Sequence, residues 1–367
     1  MPLTPLIIDC DPGNGIPGAN VDDALALALA WSAPNLEVKS VWTVFGNVSA
    51  LEGSAAARRI AQTMGVHTPI ISGCDVPLTG EKQRRIWREK LCRPRLDPDP
   101  EGLWQGADRS LCETRRPAAD GAAGADSAPA RAAARLADDV FRHCAGGRVT
   151  VVCLGPLTNI AAMLRYEPRV AGHIREIRLM GGCLGYGDLV DTNFAVDPAA
   201  VAAVFDSGID LTVVPLDVTR TTCLSAECWQ RIVARAERKG AEAARRAREI
   251  DVWLRPWLTY SSRTRPVDGM WLHDMVVVAD LIAPGLVHHT RKRVSLAHSP
   301  AGKLLCAQSV PSPARADIPG RENSVKREEK TYDIVCADAV DNEGLTELWA
   351  QTVLGVPALS GTPKTSA

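Results

Sequence analysis

Four carboxylates stand close together near the N-terminus: Asp9 and Asp11, then Asp22 and Asp23. The first pair follows the apolar run Leu6-Ile7-Ile8, and the second opens the Ala/Leu stretch Ala24–Leu29. Carboxylates crowded into one small volume repel each other, and a hard divalent cation relieves that cost. Capping of a helix by Asp22 or Asp23 is the simpler alternative, but it accounts for one carboxylate and not four. A second chemistry is a nucleotide cradle, because Gly13-Asn14-Gly15-Ile16-Pro17-Gly18 fits G-x-G-x-x-G between a strand and a helix. Three features oppose it. Asp22-Asp23 would repel a pyrophosphate at the helix N-terminus. Pro17 has no N–H. The next strand ends at Phe45-Gly46-Asn47, with no acid to hold a ribose.

Other polar or small residues recur where apolar runs stop. They are Asn47, Leu154-Gly155-Pro156 with Thr158-Asn159, Met180-Gly181-Gly182, Asp191, Asn193 and His273-Asp274. Each alone has a bland explanation: a turn residue at 47, helix caps at 158, 159 and 274, a core histidine at 273. Together they form a rim of carboxylates and amides with one imidazole. That rim suits a polyhydroxylated ligand and a hard cation, with Met180 among the residues expected to touch the ligand.

The elements that must hold these residues follow from the hydrophobic pattern. Leu6–Ile8 reads as a buried parallel strand, and the helix opened by Asp22-Asp23 stops before Pro34. Further strands are predicted at 37–44, 68–72, 149–154, 174–180 and 211–216. Helices are predicted over 55–64, 131–144, up to 164, from Asp197-Pro198, within 225–254, and over 275–282 and 342–353. The tail adds antiparallel-looking strands near 291–297, 304–309 and 332–337. Trp253, Trp257 and Trp271 are expected on either side of a polar loop. This alternation argues for an α/β fold: a single doubly wound, mostly parallel sheet flanked by helices, with a small antiparallel addition near the C-terminus. It is read as one domain over residues 1–367, with an irregular excursion at 77–130 and a frayed tail at 358–367. The excursion reads as a lid, or as plain disorder over 118–129. Open sheets of this kind bind ligands beyond the C-terminal ends of their strands.

Composition excludes several classes. A formal charge of −1 with scattered Lys and Arg gives no nucleic-acid footprint. The basic run Lys82–Arg95 reads as a solvated helix face. No apolar segment is long enough to span a membrane, and no signal peptide precedes the first strand. Eleven cysteines without paired spacing read as reduced core thiols, so a cytoplasmic location is expected. No C-x-x-C pair or histidine cluster suggests zinc.

Asp9-Cys10-Asp11-Pro12-Gly13 with Asp22-Asp23-Ala24 resembles the N-terminal aspartate motif of the nucleoside hydrolases, the inosine/uridine-preferring type among them. The resemblance runs nearly the full length. It includes Gly46-Asn47-Val48, Leu154–Asn159, Leu179–Gly182, Asn193-Phe194 with Asp197-Pro198, and Leu272-His273-Asp274. It implies a calcium ion held by Asp11, Asp23, Asp274 and the backbone carbonyl of Leu154. It also implies that Asp22 and Asn47 hold ribose hydroxyls, and that Asp188, Asp191 and Asn193 face the 5′ side. The implied reaction is hydrolysis of a ribonucleoside N-glycosidic bond, with Asp11 as general base. His273 is the candidate acid for the leaving base, and Trp257 or Trp271 would stack on it, favouring a purine. A homodimer or homotetramer is the family's expected assembly.

Three departures bear on this reading. Residues 14–21 intervene in a motif that the family joins almost directly. The 5′ motif, usually Glu-x-Asn, is Asp191-Thr192-Asn193 after a shortened loop. The region 77–110 lacks the family's histidine. Two rivals follow: a hydrolase of a modified riboside, or a silent nucleoside- or sugar-binding protein if the insertion displaces Asp22-Asp23.

Overall fold

Strand β1 (Thr4–Cys10) can be continuously apolar because both faces of the sheet are covered. Leu6 and Ile8 point into one buried layer and Ile7 into the other. The structure is a computed structural model in which residues 3–78, 80, 128–144, 147–184, 191–299, 302–307 and 330–358 are described.

After β1 come helix α1 (Asp22–Ser32), β2 (Leu36–Thr43), α2 (Ala50–Met64), β3 (Ile70–Ser72) and α3 (Ala128–His143). Then follow β4 (Val149–Cys153), α4 (Thr158–Tyr166), β5 (Ile174–Met180), the short helix α5 (Thr192–Val196), α6 (Pro198–Phe205) and β6 (Leu211–Val214). The rest comprises the turn α7 (Leu216–Thr219), α8 (Ala226–Lys239), α9 (Ala241–Thr264), α10 (His273–Ile282), β7 (Val287–Ser299), β8 (Gly302–Ala307), β9 (Thr331–Val340) and α11 (Asn342–Leu354). The strands form one sheet in the order β3-β2-β1-β4-β5-β6-β9-β7-β8. All pairings from β3 to β9 are parallel, and β7 pairs antiparallel with both β9 and β8. The α/β fold class expected from the pattern is therefore present, antiparallel addition included. Strand order reverses between β1 and β4, so the ends of these two strands flank the crevice where such sheets bind ligands.

Several boundaries differ from expectation. Helix α2 begins at Ala50, because Ser49 and Glu52 form a reciprocal capping box. Helix α3 begins at Ala128, so the expected excursion at 77–130 ends earlier. Residues 81–127, including the basic run, lie outside the described residues, as do 359–367 of the tail. Strand β6 ends before Pro215, and Leu216–Asp217 belong to α7. The largest difference is α9. It runs through Pro256 to Thr264, so Trp253 and Trp257 sit on a helix rather than beside a loop. Proline removes the hydrogen bond to the carbonyl of Val252. Val252 is 68% exposed, so water can satisfy that carbonyl, while Trp253, Leu254, Trp257 and Leu258 stay buried and hold the helix together. Among the described residues no helix is long and apolar enough to cross a membrane.

Candidate active site

The carboxylates converge. Asp11 leaves the end of β1, Asp22 and Asp23 stand in the first turn of α1, and Asp274 stands in the first turn of α10. Helices α1 and α10 pack side by side, which brings residues far apart in sequence to one point. Neither Asp22 nor Asp23 is a cap: Val21 occupies that position, with no side-chain capping bond. One oxygen each from Asp22, Asp23 and Asp274 lie within 4.8 Å of one another. Asp11 joins them through a hydrogen bond between its side chain and that of Asp23. Asp9 does not join them. Its Oδ1 accepts from Asn159 Nδ2 at 2.7 Å, which places it one layer behind. The fourth carboxylate of the cluster is therefore Asp274, not Asp9.

All four carboxyls are buried, and burial is the main cause of their raised pKa values. Asp22 is pushed up to about 6 and Asp23 to about 7, with the neighbouring Asp22 charge as the second cause for Asp23. Asp11 and Asp274 are held well above the ordinary carboxylate range, by burial and then by their acidic neighbours. Asp22 Oδ1 is buried without a hydrogen-bond partner among the described residues. Oxygen-only donors, close approach, burial and an orphaned oxygen together fit a hard divalent cation.

Small residues make this approach possible. A Cβ at Gly46 would lie 1.8 Å from Asp11 Oδ2, and one at Gly155 would lie 3.0 Å from Asp11 Oδ1. Glycine at 46 lets the Asn47 N–H donate to Asp11 Oδ2 at 2.5 Å. The Asn47 side chain reaches Asp23 Oδ2 at 3.4 Å. The insertion does not displace the motif. Gly13 N donates to Asn20 O at 3.1 Å, closing residues 14–19 into a compact bulge. Ile16 and Ala19 pack on Val48, and Asn14 Nδ2 donates to Ala56 O at 3.1 Å. A Cβ at residue 13 would lie 2.4 Å from that of Ala19, so the closure requires glycine.

A cavity of about 260 Å³ opens above the carboxylates. Asp11, Asp22, Asn47, Leu154 and Asp274 line its floor, and Met180, Asp191 and Asn193 line it as well. Trp257, Met270, Trp271 and His273 form a wall. The expected residues thus share one site, except Asp23, which lies beneath its surface, and Asp188, which falls outside the described residues.

Two of them also hold the backbone around the site. Asp191 caps α5: its Oδ2 accepts from Gly182 N at 3.1 Å and Phe194 N at 2.8 Å. Asn193 lies in that helix rather than in a loop, and its Nδ2 donates to Leu154 O at 2.7 Å and Met180 O at 3.1 Å. The Leu154 carbonyl keeps a second lone pair for a cation. Thr158 and Asn159 are ties rather than caps: Thr158 bonds Asp197 at 2.7 Å, and Asn159 bridges Asp9 and Cys74 N.

His273 opens partly onto the cavity, with Nδ1 2.7 Å from Thr219 Oγ1. Enclosure by protein, then the Arg265 and Arg220 charges, push its pKa down to about 3, so the ring is neutral. Arg265 lies 4.5 Å over the Trp257 ring, and Arg220 lies 4.7 Å over that of Trp271. Both arginines line the cavity and were missed from sequence, as were Ser261 and Asn20. Ser261 was legible in principle, since it stands one turn beyond Trp257. The proline at 256 concealed that shared helical face. Ser261 Oγ and Trp257 Nε1 are buried without hydrogen-bond partners among the described residues.

Comparison with known proteins agrees with this architecture. The family model for inosine-uridine preferring nucleoside hydrolase matches residues 6–347. The non-specific ribonucleoside hydrolase RihC of Salmonella agona (strain SL483) is 32% identical over 287 residues, 77% of this chain and 79% of that relative. RihC of Klebsiella pneumoniae (strain 342) is 33% identical over 226 residues, 61% of this chain and 64% of that one. A purine-preferring ribonucleoside hydrolase from Gardnerella vaginalis superposes with a TM-score of 0.67 at 21% identity, covering 96% of this chain and 98% of that chain. The inosine-uridine preferring nucleoside hydrolase of Bacillus anthracis gives 0.63 at 16% identity, covering 96% and 100%. At such identities the structural likeness is one of fold.

Proposed function

The chain belongs to the inosine-uridine preferring nucleoside hydrolase family, and from that premise we propose that it hydrolyses the N-glycosidic bond of ribonucleosides with the help of calcium. The observation that carries this reading is the cluster of buried carboxylates on the cavity floor at the switch point of the sheet.

Asp11, Asp23, Asp274 and the Leu154 carbonyl are the calcium ligands in this reading, and Asp22 shares the cluster closely enough to approach the same ion. When bound, calcium supplies a positive charge that acidifies water and draws in the ribose diol oxygens. Asp11 takes the proton of the attacking water. Asp22 and Asn47 hold the ribose 2′- and 3′-hydroxyls, and their fixed positions align C1′ with the water. Asn193 meets the 5′ side. Asp191 acts through it, by pinning α5 against the end of β5. Trp257 and Trp271 bound the space left for the base, and their rings favour stacking on a purine. His273, neutral and tied to Thr219, orients against the base rather than arriving as a charged acid.

The convergence of Asp22 and Asp23 with Asp11 and Asp274 removes the main motive for a silent binding protein. The test is release of reducing sugar from a panel of ribonucleosides, with calcium and again after chelation, for the wild type and Asp11→Ala. Turnover that needs both the metal and Asp11 is expected. Turnover that survives chelation, or that Asp11→Ala retains, overturns the mechanism.

A further inference from the structure

The segment after β6 is laced to the segment before α10 by four successive contacts. Thr219 Oγ1 meets His273 Nδ1 at 2.7 Å, and Arg220 stacks on Trp271. The Leu272 N–H donates to Thr222 Oγ1 at 2.8 Å, and Leu224 and Met270 form a two-way backbone bridge. The lacing fixes three cavity-lining groups against one another: Arg220, Trp271 and His273. The Trp271 and His273 ring centroids lie 5.6 Å apart. A guanidinium held over an indole is a permanent charge in a prepared place.

The two cavity arginines are not equivalent. The Arg265 charge bears on both Asp22 at the floor and His273 in the wall, while that of Arg220 bears on His273 alone of the two. A ribose held on the carboxylate floor leaves the space beside Trp271 to the base. That is where Arg220 opens into the cavity.

Breaking a C1′–N bond leaves its electron pair on the base nitrogen. Resting on the ribonucleoside reading above, we propose that Arg220 is a catalytic residue of the leaving-group subsite, receiving the negative charge that develops on the departing base. The favoured substrates are then ribosides whose bases leave as delocalised anions through ring nitrogens or carbonyl oxygens that a guanidinium can meet. The balance is complete within the known reactants. Water forms the C1′–O bond and gives a proton to Asp11. The C1′–N pair goes to the base, and the freed anion takes its proton from solvent. Thr219 and Trp271 are positioning residues for this step.

The test compares Arg220→Ala, Arg220→Lys and wild type on ribonucleosides graded by the acidity of their bases, together with 4-nitrophenyl β-D-riboside, whose leaving group departs without such help. Calorimetric calcium binding reports whether the floor of each variant is intact. Arg220→Ala should lose about 10²-fold in kcat on the least acidic bases, as expected for removing one preorganised charge partner. The loss on the nitrophenyl riboside should be roughly tenfold smaller or less, steepening the dependence of rate on leaving-group acidity. Arg220→Lys, or free guanidinium added to Arg220→Ala, should recover part of the loss. An even loss across all leaving groups, or none, overturns the proposal while leaving the hydrolase reading intact. A wild type that cleaves no riboside, the nitrophenyl one included, overturns both.

Discussion

At the floor of the cavity the functional oxygens stand on strand ends and on the first turns of two buried, mutually packed helices. At the wall, the rings and guanidiniums stand on α9, just past its end, and on two segments laced through side chains and backbone. The floor inherits its geometry from the sheet. Moving one carboxylate there means moving a strand or repacking a helix pair. The wall inherits its geometry from a few exchangeable side chains. Within one fold, the carboxylate end is therefore held by the framework, and the other end by fewer and more local contacts.

The sharpest way to test that contrast is to titrate the floor in the absence of metal. The carboxyls of Asp22 and Asp23 bind protons up to about pH 6 and 7 in the folded chain, against an ordinary value of 3.8. Between these values the folded state holds more protons than the unfolded state, so stability falls as pH rises. In chelator, the melting temperature should drop steadily from about pH 4 to about pH 8, for a loss on the order of a few kcal/mol. Saturating calcium should flatten the slope. A pH-independent melt in chelator would mean that the cluster is compensated by protein groups alone.

A wall variant should leave that titration untouched. Trp257→Leu removes a cavity-lining ring and should cost about 1–3 kcal/mol of base stacking, read as a fall in kcat/KM that is larger for purine than for pyrimidine ribosides. Calcium affinity should hold. Wild-type turnover that favours pyrimidines tenfold would refute the purine preference. The smallest expected effect is that of Thr219→Val, which cuts one strand of the lacing. Loss of a single hydrogen bond is worth about 0.5–1.5 kcal/mol, so kcat should fall by a few fold with the floor again unaffected. If instead calcium binding weakened, floor and wall would be one unit and the contrast would fail.

Part of this was legible along the chain and part was not. The strand-end motifs at 11, 47, 154–156 and 180–182 and the helix start at 273–274 each carry a local reason to be polar or glycine, and they do assemble at one sheet edge. The length of α9 was not legible. Pro256 is an ordinary stop signal, overridden here by the burial of four large side chains around it. Nor was the second bond of Asp191, since its capping of Phe194 is local but the Gly182 N–H reaches it only when α5 folds against the end of β5.

The sequence by itself determined the alternation of elements and the chemical character of the floor, because hydrophobic period and strand-end residues are local properties of the chain. The identity of the fourth floor carboxylate belongs to the tertiary structure. Crowding alone pointed to Asp9 and the family resemblance to Asp274, and the packing of α10 on α1 is what brings Asp274 to the cluster. The same holds for the bulge at 14–19, whose composition allowed either closure or displacement until Ile16 and Ala19 found Val48. The guanidiniums in the wall were decided there too. Arg220 becomes a cavity charge only when the ring of Trp271 arrives beneath it from a distant segment, and nothing within its own stretch of sequence specifies that arrival.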